Sequence, residues 1–258
     1  MSGPYLETSN IHLSFEAVRA LRGVDFRVNR GEVVGLVGDN GAGKSTLIKV
    51  LAGVYLPDEG DITIEGERVQ FHDPDDARKA DIETVYQDLA LVDTLDVTAN
   101  LFLGREQRLR GLLGRLGFMD KTAMRKKSRD DIAELRVNLP AVNTVVSHLS
   151  GGQRQAIAIA RATSWSRRVV LMDEPTAALG VRESKEVLEL IRRLRDGGLG
   201  IVVISHDIPH IFDVSDRIVV LRHGTVHLDV PSSETSPTEI VEVMLGAFAG
   251  PNGGSEPS

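Results

Sequence analysis

Apolar and polar residues alternate along this chain with two periods, one typical of strands and one typical of helices. Short β-branched runs, such as EVVGLVG (32–38), RRVVLMDEP (167–175) and GIVVISHD (200–207), indicate strands that are buried on both faces. GGQRQAIAIARATSW (151–165) predicts a buried helix, and VRESKEVLELIRRLRDGG (181–198) predicts an amphipathic helix that stops at glycine. The alternation of strands and helices predicts an α/β fold whose mainly parallel sheet is covered by helices on both faces.

Two regions depart from this alternation. Residues 5–28 and 57–69 have the short period of strands separated by polar turns, which predicts an antiparallel β subdomain near the N-terminus. Helix-like patterns dominate from about residue 96 to 165, which predicts an inserted helical subdomain. We therefore expect one domain over residues 4–248 and a disordered tail over residues 249–258, which contain no core-forming side chain.

The overall composition narrows the class of protein. The 258 residues carry a formal net charge of −7 and include no cysteine, which excludes disulfides and cysteine-ligated metals and argues against a secreted scaffold. We find no signal peptide and no apolar run of the roughly 18 residues that cross a membrane. The acidic charge disfavours binding to nucleic acid. Residues 105–129 are basic by contrast, which is typical of a solvated helical face or of a surface near a membrane or partner.

The run GDNGAGKST (38–46) matches the pattern G-x-x-x-x-G-K-[ST] of a phosphate-binding loop. Glycines let the backbone approach an anion closely, and N–H groups at a helix start form a cradle for it. Lys44 supplies a charge for the β- and γ-phosphates, and the Ser45 hydroxyl is a ligand for Mg²⁺. A chance glycine turn is the weaker interpretation, because a strand precedes the loop and a helix follows it. The candidate ATP-binding residues are Gly38, Asp39, Asn40, Gly41, Ala42, Gly43, Lys44, Ser45 and Thr46.

Titratable side chains follow two later predicted strands. Asp173 ends one strand, where a carboxylate can hold Mg²⁺ through water, and Glu174 follows as a candidate general base for the attacking water. Alternation along a strand predicts that these two side chains point in different directions. His206 follows another buried strand at the sheet edge where ligands bind, and is a candidate partner for the γ-phosphate. Helix-capping acids and a structural histidine are the alternative interpretations.

A second glycine pair lies in LSGGQ (149–153), directly before a predicted helix. Free N–H groups at such a position can bind an anion. Ser150 acting as a helix N-cap, with the glycines allowing close packing, is the structural interpretation of the same residues. The two interpretations are compatible, because the cap and the anion site use the same N–H groups.

Taken in order, GDNGAGKST, VYQD (85–88), LSGGQ, MDEP (172–175) and ISHD (204–207) resemble the motifs of the nucleotide-binding subunit of ABC transporters, over roughly residues 5–247. The resemblance implies a P-loop NTPase fold and an ATP hydrolase that uses ATP and Mg²⁺. It also implies that two subunits pack head to tail. One subunit would then contact the nucleotide held by the other through Ser150, Gly151, Gly152 and Gln153.

The resemblance also implies roles for single residues. Gln87 matches a glutamine that senses Mg²⁺ and the attacking water, and His206 matches a histidine that contacts the γ-phosphate. Phe15, 23 residues before Gly38, matches an aromatic residue that lies against adenine, although a Phe in a β-rich segment is also typical of the core. The implied metal ligands are Ser45, Gln87 and, through water, Asp173.

One position departs from the family pattern. An aspartate usually follows DEPTAAL in the family, and this chain has Gly180 there, which bears on the coupling between the two nucleotide sites and not on nucleotide binding.

Residues 85–106 and 171–184 resemble the ATPases of monosaccharide importers of the ribose, xylose and fructose type. This resemblance implies a transmembrane permease, an extracytoplasmic sugar-binding protein, and a homodimer or pairing with a second ATPase half. It further implies a peripheral location on the cytoplasmic face of the inner membrane, with residues 88–105 docking the permease.

Other functions remain open at this point. A soluble ABC-type ATPase acting on nucleic acid or ribosomes would keep every motif, although such proteins tend to carry coiled coils or tandem ATPase units. An importer ATPase for amino acids or lipids would use the same ATP chemistry. A P-loop kinase or a noncatalytic module fits less well, because LSGGQ and Glu174 are present and no motif requires a phosphate-acceptor pocket.

Overall fold

The computed structural model describes residues 3–247, and the tail predicted for residues 249–258 lies outside them. The strands are β1 (Leu6–Phe15), β2 (Val18–Val28), β3 (Val33–Val37), β4 (Glu59–Ile64), β5 (Glu67–Val69), β6 (Ile82–Val85), β7 (Val169–Asp173), β8 (Gly200–Ile204), β9 (Arg217–Arg222) and β10 (Thr225–Pro231). The helices are α1 (Lys44–Leu51), α2 (Pro74–Lys79), α3 (Val97–Leu101), α4 (Leu112–Arg115), α5 (Lys121–Glu134), α6 (Gly151–Thr163), α7 (Val181–Asp196), α8 (Ile208–Val214) and α9 (Pro237–Leu245).

The larger sheet has six strands in the order β10-β9-β3-β8-β7-β6. Strands β9, β3, β8, β7 and β6 are parallel, and β10 pairs antiparallel with β9 through the predicted hairpin turn at His223 and Gly224. Along β3, Val34 and Leu36 enter one core while Val33 and Val37 enter the other. The β-branched runs therefore form strands buried on both faces, as predicted.

The smaller sheet is antiparallel, with the strand order β2-β1-β4-β5. Its buried side chains, such as Leu6, Ile11 and Phe26, share one core with helix α1 and with one face of the parallel sheet. Short polar turns join β1 to β2 and β4 to β5. Each turn contains a glutamate with a positive φ angle, Glu16 in the first and Glu65 in the second. The predicted combination of a parallel core and an N-terminal antiparallel sheet is confirmed.

Helices α3, α5 and α6 enclose a third apolar cluster. Its largest buried side chain, Phe102, meets Trp165 edge to face at 5.6 Å between ring centroids. Helix α6 contributes to two cores at once, because Ile157 and Ala160 belong to the helical cluster while Ile159 packs beneath the parallel sheet. The boundaries 4–248 and 96–165 stay predictions.

Arg217 forms a buried ion cluster at the start of β9, on the side of the sheet away from the phosphate-binding loop. Its guanidinium donates to the Glu32 carboxylate at 2.6 Å, to Asp229 at 2.7 Å and to the main-chain oxygen of Arg27 at 2.6 Å. The cluster joins β2, the start of β3, β9 and β10. It compensates the charges of two carboxylates, one of which, that of Glu32, also accepts hydrogen bonds from Asn29.

We predict that Arg217→Ala lowers the free energy of unfolding by about 3–5 kcal/mol, because it leaves the carboxylates of a buried cluster uncompensated. Urea unfolding followed by circular dichroism measures the change. Arg182→Ala is the matched control, since the Arg182 side chain is 90% exposed and pairs with Glu186 on the surface of α7. Equal destabilisation by the two substitutions would contradict the prediction.

Candidate active site

The phosphate-binding loop connects β3 to α1, and two of its glycines have no room for a side chain. A Cβ on Gly38 (φ 152°) would lie 2.1 Å from the Leu221 carbonyl oxygen, and a Cβ on Gly43 (φ 105°) 2.8 Å from that of Ala20. Within the described residues, no side chain caps the start of α1. The N–H groups of its first turn are therefore available to an anion, as the loop pattern predicts.

Lys44 bridges the loop with its ammonium group. It donates to the main-chain oxygens of Gly38 at 2.7 Å and Asp39 at 3.0 Å. Burial lowers the pKa of Lys44, while the charges of Glu174, Asp39 and Asp173 oppose that shift. The two acceptors that hold the ammonium are neutral carbonyl oxygens. A phosphate can replace them, because hydrogen bonds from an ammonium to an anionic acceptor are stronger.

Asp173 is the last residue of β7, and its pKa is raised by burial and by the charge of Glu174. Glu174 lies one residue beyond the strand, where its φ angle of 52° places it in the left-handed region. The two carboxylates were expected to diverge through the alternation of a strand. The backbone turn at Glu174 redirects its side chain instead, held by a hydrogen bond from its N–H to the Ile204 carbonyl oxygen at 2.9 Å.

Glu174 is tied to the end of the neighbouring strand β8 by three hydrogen bonds. Its Oε1 accepts from the His206 backbone N–H at 3.1 Å and lies 2.9 Å from the imidazole Nδ1. Its Oε2 accepts from the Ser205 hydroxyl at 3.3 Å. The candidate base is therefore oriented by the same segment that carries the candidate histidine. Ser205 was missed from the sequence, although its place inside the ISHD motif was a usable signal.

The His206 imidazole is 82% exposed, so only one side of the ring is engaged. The hydrogen bond to Glu174 and the charge of that carboxylate raise the pKa of His206. Protonated His206 is thus favoured by Glu174, and the attraction is lost as the pH rises through the raised pKa. The free side of the ring can donate to a further anion.

Gln87 lies in an exposed turn two residues beyond β6. No hydrogen bond of its side-chain amide is found within residues 3–247, which leaves the amide available to a ligand. The turn continues through Leu89 (φ 57°) and Ala90 (φ 47°), two successive left-handed residues. Their carbonyl oxygens accept hydrogen bonds from Arg161 of α6, a contact that the sequence analysis missed. A single arginine in the otherwise apolar AIAIARAT was the available signal.

Ser150 caps helix α6, as its structural interpretation requires. Its Oγ accepts from the Gln153 N–H at 3.3 Å, and the Gln153 Oε1 accepts from the Ser150 N–H at 3.1 Å. A Cβ on Gly152 would lie 3.0 Å from Glu183 Cβ, so close packing on α7 also favours glycine. In the described part of the chain, no hydrogen bond or ion pair joins this segment to Lys44, Asp173 or Glu174.

Phe15 lies at the end of β1 with 42% of its surface exposed, which excludes the core interpretation. Its ring meets Tyr55 edge to face at 5.1 Å, and the Lys49 ammonium lies 5.4 Å from the Tyr55 ring. The aromatic pair offers an exposed apolar surface. The role of Phe15 against adenine stays a prediction.

Gly180 precedes α7 with φ −70° and ψ 164°, a conformation that any residue adopts. Its N–H donates to the Glu183 carboxylate at 3.1 Å, and a Cβ would meet that carboxylate at an ordinary 3.4 Å. The backbone therefore does not require glycine here.

The residues 21–177 match the family model described as ABC transporter. The chain is 48% identical to the xylose/arabinose import ATP-binding protein XylG of Sulfolobus acidocaldarius, over 95% of each chain. It is 46% identical to the fructose import ATP-binding protein FrcA of Rhizobium meliloti, again over 95% of each chain. A ribose import ATP-binding protein of Burkholderia thailandensis is 42% identical, over 93% of this chain and 46% of the relative.

Solved structures of ATP-binding cassettes superpose on this chain over most of its length. An ATP-binding cassette of an ABC transporter in its ADP conformation superposes with a TM-score of 0.77 at 25% identity, over 94% of this chain and 95% of the other. A dimeric cassette bound to ADP and Pi, in a post-hydrolysis state, gives 0.71 at 26% identity, over 88% and 98%. The fold is that of an ABC ATPase cassette. This chain belongs to the ABC transporter family, as a nucleotide-binding ATP hydrolase.

We predict that Glu174→Gln lowers the pKa of His206 towards its usual value near 6.5, because the charged hydrogen-bond partner is lost. Proton NMR of the imidazole signals across pH measures the pKa, with His206→Gln assigning the signal. The control is Glu67→Gln on β5, an exposed glutamate of the other sheet. An unchanged His206 titration in Glu174→Gln would show that the hydrogen bond does not form in solution.

Proposed function

We propose that this chain provides the energy for importing a monosaccharide through a partner permease in a membrane. The observation that carries this proposal is its similarity, over 95% of each chain, to two proteins named for xylose/arabinose and fructose import. The ribose relative, about twice as long, is also named for sugar import. An extracytoplasmic sugar-binding protein would select the sugar, so that this chain never contacts it.

In the proposed reaction, Lys44 and the N–H groups of residues 38–46 hold the ATP phosphates, and Phe15 lies against adenine. Glu174 accepts the proton of the attacking water, since Ser205 and His206 hold its carboxylate in one orientation. The exposed face of His206 donates to the γ-phosphate.

The residues present fit Mg²⁺ bound mainly by phosphate and water. Within residues 3–247, no group of three or more acidic or histidine side chains could hold a metal ion by itself. Mg²⁺ typically uses one or two protein ligands beside substrate phosphates and water. Ser45 and Gln87 would bind the ion directly and Asp173 through water, and the ion would neutralise phosphate charge.

We propose that two copies pack head to tail, so that Ser150, Gly151, Gly152 and Gln153 of one copy contact the nucleotide bound by the other. The similar cassette is dimeric and bound to ADP and Pi, which supports a nucleotide-bound dimer. A contact in trans would also give the start of α6 a role, since no hydrogen bond joins it to the strand-end residues within the described chain. ATP would then lie in the interface, and its removal would let the dimer open.

We predict that Glu174→Gln keeps ATP binding and lowers the hydrolysis rate by about 100-fold or more, because the proton acceptor is lost. The variant should accumulate as a dimer in ATP and Mg²⁺, measured by light scattering during gel filtration. Glu67→Gln again serves as the control and should hydrolyse ATP normally. Retained hydrolysis would refute Glu174 as the base, and a monomer that holds ATP would refute the composite site.

The proposed permease dock, residues 88–105, borders a surface cavity of about 350 Å³. Leu103, Gly104 and Arg105 line one side, and Arg161 and Trp165 line another. The Leu103 side chain is 44% exposed. Charged side chains of both signs line the same cleft, among them Asp75, Arg78 and Glu83, so that a charged groove lies beside the exposed Leu103. Such a surface suits a protein segment that combines an apolar side chain with charged ones.

We predict that Leu103→Glu abolishes permease binding, because it replaces an exposed apolar side chain of the cleft with a carboxylate. The ATPase rate of the isolated subunit should stay unchanged. Co-purification from mildly solubilised membranes measures the binding. The control is Leu245→Glu on α9, where the leucine is 69% exposed. Equal loss of hydrolysis and binding would show that residue 103 supports the fold and does not form a dock.

Peripheral attachment to the cytoplasmic face of the membrane is part of this proposal. None of the helices between residues 3 and 247 has the length and apolar character needed to cross a bilayer. Purification of the tagged chain from native membranes, followed by mass spectrometry, tests the whole assignment. A polytopic permease with a sugar-binding protein is the expected result. A complex with ribosomes or nucleic acid, or a binding protein for another solute, would overturn it.

A further inference from the structure

Arg161 joins helix α6, which begins at the Ser150 segment, to the turn that carries Gln87. From the last third of α6, its two terminal nitrogens donate to the Ala90 carbonyl oxygen at 2.7 Å and to the Leu89 carbonyl oxygen at 2.8 Å. Leu89 and Ala90 follow Gln87 by two and three residues in the same turn. One guanidinium therefore holds the backbone of the turn that presents Gln87.

The turn needs such a partner. Leu89 and Ala90 are successive non-glycine residues with positive φ, a strained conformation that persists only where surrounding contacts impose it. A planar guanidinium can donate to two adjacent carbonyl oxygens at once, whereas an ammonium is a single point donor. The observed pair of bonds depends on the shape of arginine and not only on its charge.

Arg161 is held by main-chain oxygens and not by an ion pair with a carboxylate. It is half-buried, and in the described part of the chain no carboxylate lies within ion-pair distance of it. Glu83 of β6, whose charge acts on Arg161, pairs with Arg105 instead. Burial lowers the pKa of Arg161, with the charge of Glu83 opposing and that of Arg105 adding to the shift. The main-chain oxygens of the turn are thus its principal partners.

The other end of α6 carries the segment proposed to contact the opposite nucleotide. Ser150 caps the helix eleven residues before Arg161, about 16 Å away along the axis. Helix α6 packs in two apolar cores, which hold it along its length. Arg161 and Ala90 also line the cavity beside Leu103 and Arg105.

We propose that Arg161 is a positioning residue that fastens the Gln87 turn to helix α6, so that Gln87 and Ser150 move as one body. This inference rests on the role proposed above for Gln87. A partner that enters the cleft contacts the turn held by Arg161. Displacement of this turn then moves Gln87 at one nucleotide site and Ser150 at the other together. Arg161 acts through Gln87 and does not itself contact ATP.

Arg161→Lys tests the inference, because it keeps the charge and removes the two-pronged donor. Steady-state hydrolysis by the full chain should show kcat lowered about 10-fold through displacement of Gln87. The Kd for a fluorescent ATP analogue should change less than about twofold, since the phosphate loop is untouched. Hydrogen exchange of the amides of residues 88–91 should rise while that of α1 stays constant.

Arg193→Lys is the matched control, because Arg193 of α7 also donates to a main-chain oxygen of another segment, that of Leu135 at 3.0 Å. It should leave kcat unchanged. Gln87→Ala and the double variant Gln87→Ala/Arg161→Lys complete a cycle. If Arg161 acts through Gln87, the double variant is no slower than Gln87→Ala alone.

The outcomes separate the two proposals. A normal kcat in Gln87→Ala would refute the role of Gln87 and, with it, this inference. A lowered kcat in Gln87→Ala beside a normal kcat in Arg161→Lys would overturn the positioning role alone. Additive effects, or a parallel loss of ATP affinity and melting temperature, would mean that Arg161 only supports the fold. Arg161→Gln repeats the test if Arg161→Lys does not fold.

Discussion

The candidate site depends on one constraint, the adjacency of four parallel strands in the order β3-β8-β7-β6. Parallel strands end at the same edge of a sheet, so the segments that follow them meet there. Those segments carry, in spatial order, Lys44, His206, Glu174 and Gln87. Residues more than a hundred positions apart in the chain are thereby brought together without long loops. Cores on both faces of the sheet hold the edge in place.

Much of this arrangement could be predicted from the sequence, because its motifs combine a strand pattern with a following functional residue. The phosphate loop, the hairpin at His223 and Gly224 and the cap at Ser150 follow from local residue preferences. The turn at Glu174 could not be predicted, since glutamate has no preference for positive φ. It is imposed by hydrogen bonds to Ile204, at the end of β8, and to Ser205 and His206 just beyond it, which no local pattern records.

Helix α6 shows a second limit of the pattern. An apolar character nearly all round the helix predicts burial but does not say which cores surround it. The structure places Ile159 beneath the parallel sheet and Ile157 among the helices α3 and α5. Helix α6 therefore packs against both the parallel sheet and the inserted helices, and joins their two cores. Arg161, the charged residue in the apolar second half of this helix, contacts the Gln87 turn.

The reciprocal bonds between Ser150 and Gln153 complete the start of α6 within a single chain. A surface that already has its final geometry loses little conformational entropy when it associates. In the proposed dimer, opening and closing would then require no helix to melt or re-form. The pace of each cycle would be set by nucleotide chemistry and exchange, and not by local folding.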